Sequence, residues 1–156
     1  MLYQIHLYVP KTGKLTPSMI DWLYQNGTSA DQPEVFWPVR KLRAAQVARI
    51  ILNFDPTLLP EPGGDGDVTL YYPLEEVGLR LYIHTRGVIV LFPFSGGMLA
   101  RVVLGIAYTY IRFLSEQGGF WSFDPQLNTL LFTDDLRTLD ETAELMESVL
   151  PKLLEG

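Results

Sequence analysis

Cysteine is absent from the 156 residues, and that absence closes several routes at once. No disulfide, thiol nucleophile, zinc–cysteine site or iron–sulfur cluster can be built. A disulfide-stapled secreted scaffold is therefore excluded, and a reducing cytoplasm is the expected compartment. Charge is sparse too: 19% of residues are Asp, Glu, Lys or Arg, below the usual share of about 25%, which argues against a long disordered tail. Nor is there a clear targeting segment, because residues 1–9 lack a basic start and alternate like a strand. Residues 87–114 carry only Arg101 and Arg112 as charges. Pro93 and Ser95-Gly96-Gly97 divide them into a strand and a helix, each short of the roughly 20 apolar residues of a membrane span.

What is present is apolar mass. Hydrophobic residues make up 47% of the chain, enough for one domain that buries roughly 70% of its unfolded surface. The net charge of −6 is unevenly spread. From Asp134 onward seven acids face two bases, a balance of −5, so the first 133 residues sit at −1. An acidic chain repels phosphate backbones, so nucleic acid is not an expected partner, and the short apolar pieces make a membrane an unexpected one too. The one basic cluster, Arg40, Lys41, Arg43 and Arg49, reads as a solvated helix face rather than an anion site.

Periodicity predicts the elements. Tyr3, Ile5, Leu7 and Val9 alternate with Gln4, His6 and Tyr8, a period-two strand. Thr16-Pro17 opens a helix with Leu15 and Ile20 at hydrophobic-staple positions and Asn26-Gly27 as its stop. A second helix is expected over Val39–Asn53, with Val47, Ile50, Ile51 and Phe54 on its apolar side. Residues 59–67, rich in glycine and proline, read as a loop, and 68–72 as a strand. Residues 78–85 and 88–94 form a predicted hairpin with Arg86-Gly87 as its turn. That turn pairs Thr85 with Val88, Ile83 with Val90 and Tyr82 with Leu91.

Ser95 is read as the cap of a helix over 98–117, apolar nearly all round, in which Gly105 allows close approach to the sheet. Strands at 120–123 and 130–133 flank an Asp124-Pro125 turn. A terminal helix over 136–150 carries Leu136, Leu139, Ala143, Met146 and Leu150 as a stripe, with Thr138 and Glu141 as a capping box. The order predicts an α+β fold, a mostly antiparallel sheet packed against helices in a single domain over residues 1–156.

Catalytic constellations fail one by one. Gly63-Gly64-Asp65-Gly66-Asp67-Val68 resembles the start of a calcium nonapeptide, yet it occurs once and has Val68 where an aspartate belongs. Ser95-Gly96-Gly97 lacks the lysine of a phosphate-binding loop, and no Gly-x-Gly-x-x-Gly is present. His6 and His84 lack a third metal ligand at strand spacing and a partner nucleophile. Glu75-Glu76 and Asp134-Asp135 diverge as neighbours do on a strand. No catalytic, cofactor-binding or metal-binding residue is assigned.

The hairpin is more informative. Its Ile83 side is wholly apolar, while the Tyr82/His84 side mixes tyrosine, arginine, Ile89 and Leu91, a composition found at interfaces. If the strands share a sheet, this face also gathers Gln4, His6, Tyr8 and Arg80.

The C-terminal half joins the hairpin, a helix and Gly119-Phe120-Trp121-Ser122-Phe123-Asp124-Pro125-Gln126-Leu127. In this it resembles a type of small bacterial protein that includes relatives of toxin-immunity proteins. The resemblance implies a non-catalytic, protein-binding role in a bacterial cytoplasm. Trp22, Phe36, Trp37, Tyr82, His84 and Trp121 are the expected partner contacts, with Glu144 and Glu147 suited to a basic partner. A homodimer through the Tyr82 face is a further expectation. An alternative is a small-molecule or anion binder, or a hydrolase, with a cleft near Ser95-Gly96-Gly97 and His84.

Overall fold

Alternation in the first strand places Tyr3, Ile5 and Leu7 on one face, and all three are fully buried. The computed structural model describes residues 2–27, 31–131 and 141–145. The order is β1 (Leu2–Tyr8), α1 (Pro17–Asn26), α2 (Ala44–Phe54), β2 (Leu59–Pro62), β3 (Val68–Tyr71), β4 (Arg80–Ile83), β5 (Val88–Pro93), α3 (Gly97–Gly118), β6 (Trp121–Asp124) and β7 (Thr129–Leu131). The seven strands make one sheet, β2-β3-β4-β5-β1-β6-β7, antiparallel at every step. The fold is α+β.

The sheet has two unequal cores. On one face Tyr3, Ile5 and Leu7 join Leu70, Leu81, Ile83, Val88, Val90 and Phe92 beneath α2 and α3. Residues 141–145 are helical, and Ala143 belongs to this large core. On the other face Tyr8 and Phe123 join Leu15, Ile20, Leu23, Trp37 and Val39, a smaller core under α1. The start of α1 is the one its sequence predicts. Thr16 Oγ1 accepts from Met19 N at 3.3 Å, Pro17 stands in the first turn, and the staple pair Leu15 and Ile20 is buried.

Several expectations are corrected. The second helix begins at Ala44 rather than Val39. Residues 38–42 run extended because their backbone is already engaged: Lys11 N donates to Pro38 O (2.9 Å), Arg40 N to Val9 O (2.8 Å) and Leu42 N to Thr85 O (2.6 Å). The buried residues of α2 are Ala48 and Ile51, whereas Ile50 and Phe54 stay exposed. Phe54 stacks instead on Phe113 of α3, with ring centroids 4.1 Å apart.

Residues 59–62, expected as a loop, form the edge strand β2. Gly63 N donates to Asp67 O at 2.7 Å, which sets the hydrogen-bonded pairs at Glu61↔Thr69 and Leu59↔Tyr71. Pro60 and Pro62 therefore turn their N–H-less nitrogens toward the outer edge, where a proline is tolerated.

The β4–β5 turn is Thr85-Arg86, not Arg86-Gly87. His84 N donates to Gly87 O at 3.0 Å, and Ile83 faces Val88 while Tyr82 faces Ile89. The register is displaced by two residues from the predicted one, so every side chain keeps its expected face. Gly87 is displaced from the turn for a packing reason. A Cβ there would lie 2.4 Å from Leu7 O and 3.0 Å from the Tyr8 ring.

The long helix is not apolar-buried all round. Eight of its residues, from Ala100 to Leu114, are buried, but Met98, Leu99 and Val102 are exposed. Its N-cap is Gly96, while Ser95 Oγ donates to Pro93 O at 3.5 Å and caps nothing. Gly105 is exposed, and a Cβ there would meet nothing within 4 Å, so it makes no close approach. The strand expected at 130–133 is described as β7 at Thr129–Leu131. The capping box Thr138/Glu141 and most of the terminal stripe fall outside the described residues.

These two glycines predict opposite outcomes. Gly87→Ala should lower stability by about 1–3 kcal/mol through overpacking against Leu7 and Tyr8. Gly105→Ala should raise it by roughly 0.5–1 kcal/mol by removing a glycine from an exposed helix interior. Urea denaturation of the two variants checks both signs.

Candidate functional site

The second face of the sheet carries the residues of chemical interest in three rows. One runs Tyr71–Arg80–Leu91–Gln4 and the next Thr69–Tyr82–Ile89–His6–Phe123. The third runs His84–Gly87–Tyr8–Trp121. Helix α1 covers only one end of these rows, packing Ile20 and Leu23 on Tyr8 and Phe123. Tyr24 meets His6 edge-on (6.5 Å) and Phe123 at a tilt (6.2 Å). Toward β3–β5, Tyr71, Arg80, Tyr82, His84, Ile89 and Leu91 are half-buried. Tyr71 and Arg80 continue into a cleft of about 390 Å³ shared with Leu59, Tyr72 and Leu74.

Each histidine is committed to local partners. His6 Nε2 lies 3.0 Å from Gln4 Oε1, an acceptor, so Nε2 carries the proton. Nδ1 is then the acceptor for Tyr8 OH at 3.2 Å. Burial, with a smaller push from His84, lowers the His6 pKa to about 4. His84 Nδ1 accepts from Arg86 N at 3.2 Å, and its ring stacks on Tyr82 at 5.7 Å. Burial lowers its pKa as well. Tyr82 OH donates to Asp67, and this bond, more than burial, raises the tyrosine pKa. Among the described residues no three His, Asp or Glu side chains come together as metal ligands. On this face the described residues supply neutral hydrogen-bonding groups and aromatic rings.

Beside His84 the turn builds an electrostatic corner. The Arg86 guanidinium sits 4.0 Å over the Trp37 ring, and Trp22 meets Trp37 edge-on at 5.0 Å. Glu34 binds both Nη atoms of Arg86 and lies 3.4 Å from Lys11 Nζ. The Arg86 bond, ahead of the Lys11 contribution, holds the Glu34 carboxyl down at about 2. This fork fixes the turn at Glu34–Phe36, where Val35 and Phe36 project at 80% and 61% exposure.

The expected contact residues separate accordingly. Phe36 is exposed, and Tyr82, His84, Trp22 and Trp121 are all half-buried, the two tryptophans against the small core. Trp37 is buried and serves as the platform for Arg86. Glu144 is exposed on the helical segment of the opposite face, apart from the aromatics. Glu147 lies outside the described residues. Ser95-Gly96-Gly97 and His84 are not neighbours, because they flank opposite ends of β5, roughly 25 Å apart by strand rise. Arg86, Glu34 and Asp67 had no local signal. Their partners lie 15 to 52 residues away in sequence.

The Asp-Pro-Gln-Leu segment proves to be an anchor. Asp124 is fully buried and accepts from Tyr3 OH, Gln126 N (2.8 Å), Gln126 Nε2 (2.7 Å) and Leu127 N (3.1 Å). Gln126 in turn pairs with the β1 backbone, donating to Gln4 O (2.7 Å) and accepting from Gln4 N (3.0 Å). Comparison with protein-family models, curated proteins and solved structures finds no match for the chain.

Two outcomes follow for stability. Asp124→Ala strands the buried Tyr3 hydroxyl and the part-buried donors of Gln126 and Leu127 and should cost roughly 3–5 kcal/mol, with Asp124→Asn, which keeps one acceptor, costing less in the same urea titration. Since the His6 pKa drops to about 4 on folding from about 6.5 unfolded, the unfolded chain takes up the proton first. Stability is then full above pH 6.5 and falls toward pH 4, by at most about 1.4 kcal/mol per unit from this group. His6→Gln should flatten that slope in thermal melts across the interval.

Proposed function

We propose that this chain is a non-enzymatic cytoplasmic protein that acts by binding another protein, in the manner of a toxin-neutralising immunity protein. The observation that carries the reading is the uneven cover of the second sheet face. Helix α1 buries Tyr8 and Phe123 at the β1–β6 end, whereas no helix buries Tyr82, His84, Ile89 and Leu91, which stay half-buried, and Phe36 is exposed. Aromatic, aliphatic and arginine side chains on a preformed sheet are the usual makings of a binding hot spot. Their rigidity lowers the entropy lost on association. The histidines fit this role as neutral, hydrogen-bonded surface elements rather than as catalytic bases.

The test uses the tagged full chain to capture its partner from the native host. A stoichiometric protein should be recovered, and Phe36→Ala should weaken it about tenfold or more. Recovery of none at low and moderate salt, or capture indifferent to Phe36→Ala and Tyr82→Ala, would remove the reading. A concentration-dependent dimer in sedimentation that Tyr82→Ala abolishes would assign the face to self-association instead.

A further inference from the structure

The charge around Phe36 has the opposite sign to the charge of the chain. Residues 35–54 hold Arg40, Lys41, Arg43 and Arg49 and no acid. All four are exposed, and none enters an ion pair among the described residues, where Glu34 takes both Lys11 and Arg86. The backbone ties this stretch to the aromatic corner through Arg40 N to Val9 O, Lys11 N to Pro38 O and Leu42 N to Thr85 O. Arg40 and Lys41 thus leave the same end of the sheet as Phe36 and Arg86. Five cations there (Lys11, Arg40, Lys41, Arg43 and Arg86) outnumber by one the four acids of the same end, Asp31, Glu34, Asp65 and the Tyr82-bonded Asp67. Glu141 and Glu144 stand on the helical segment whose Ala143 enters the opposite core.

From this arrangement we infer that the Phe36 end of the surface recognises an acidic protein segment, with Val35 and Phe36 as apolar anchors and Arg40 and Lys41 as its charge partners. The inference rests on the protein-binding reading and reverses the sign of partner that Glu144 and Glu147 suggest. Complementarity of this kind steers encounter and fixes orientation. A short acidic segment senses charges within a Debye length of about 8 Å, where the local excess is positive. A long polyanion also meets the repulsion of the whole chain at −6, which favours protein over nucleic acid.

The experiment measures binding of the intact protein to two fluorescent peptides of equal length, a glutamate–leucine and a lysine–leucine repeat, and to duplex DNA of matching contour. The glutamate peptide should bind best, weaken with added salt, and lose about tenfold in affinity with the Arg40→Glu/Lys41→Glu variant. Circular dichroism of that variant should be unchanged, since both side chains are exposed. The neutral Arg40→Gln/Lys41→Gln pair should fall between. Preference for the lysine peptide or for DNA, salt-independent binding, or no effect of the charge reversal would overturn the inference. If the captured partner needs Phe36 yet ignores the reversal, the binding surface stands and its acidic specificity falls.

Discussion

The Asp124 carboxylate is the constraint around which the rest of the molecule is arranged. A buried carboxylate is tolerated only when its lone pairs are filled. Here the donors come from β1, through Tyr3, and from the turn that follows β6, through Gln126 and Leu127. Gln126 extends the turn into a side-chain mimic of a strand by matching both backbone groups of Gln4. The hairpin of β6 and β7 is thereby locked to β1 in one register. That lock sets Phe123 beneath α1 and leaves Tyr3 stacked on Phe92 at 5.3 Å in the other core.

β1 is consequently the wall between two environments. Its odd residues complete the large apolar core, and its even residues, Gln4, His6 and Tyr8, begin the surface that carries the polar chemistry. The small core mixes aliphatic side chains with the rings of Tyr8, Trp37 and Phe123. Trp37 is fixed from above by Arg86 and from the side by Trp22, and Arg86 is fixed by Glu34. Burial of Leu15, Ile20, Leu23, Trp37 and Phe123 stabilises this core, and the cation–π and ion-pair contacts set the orientation of Arg86 against Trp37. Exposed Phe36 next to a rigid platform is the product of that construction.

Much of this was legible in the residues. Alternation in residues 2–9 assigned both faces of β1, and Thr16-Pro17 with Leu15 and Ile20 fixed the start of α1. The hairpin sequence points to Arg86-Gly87 as its turn and still assigns the right faces, because a displacement of two residues preserves strand parity. Failures occurred where distant parts of the chain decide the outcome. Gly87 looks like a turn glycine until Leu7 O is seen beside it. Residues 39–43 look helical until Val9, Lys11 and Thr85 claim their backbone groups. Glu34, Arg86 and Trp37 form one unit across more than fifty residues, a separation over which no local pattern reports. Phe123-Asp124-Pro125-Gln126-Leu127 was visible as a motif, and its role as an internal anchor needed Tyr3 and Gln4 to be placed.

The prolines of β2 bear on how this protein can meet others. A sheet whose outermost strand offers free amide hydrogens can be extended by any chain that lies alongside it, and such growth has no natural end. With Pro60 and Pro62 turned outward, that border lacks the donors a continuing ladder requires. Recruitment there by backbone templating, the route to fibrils, is disfavoured. On the β2 side, selectivity then has to be written in side chains on the faces, where a partner is chosen by shape and charge.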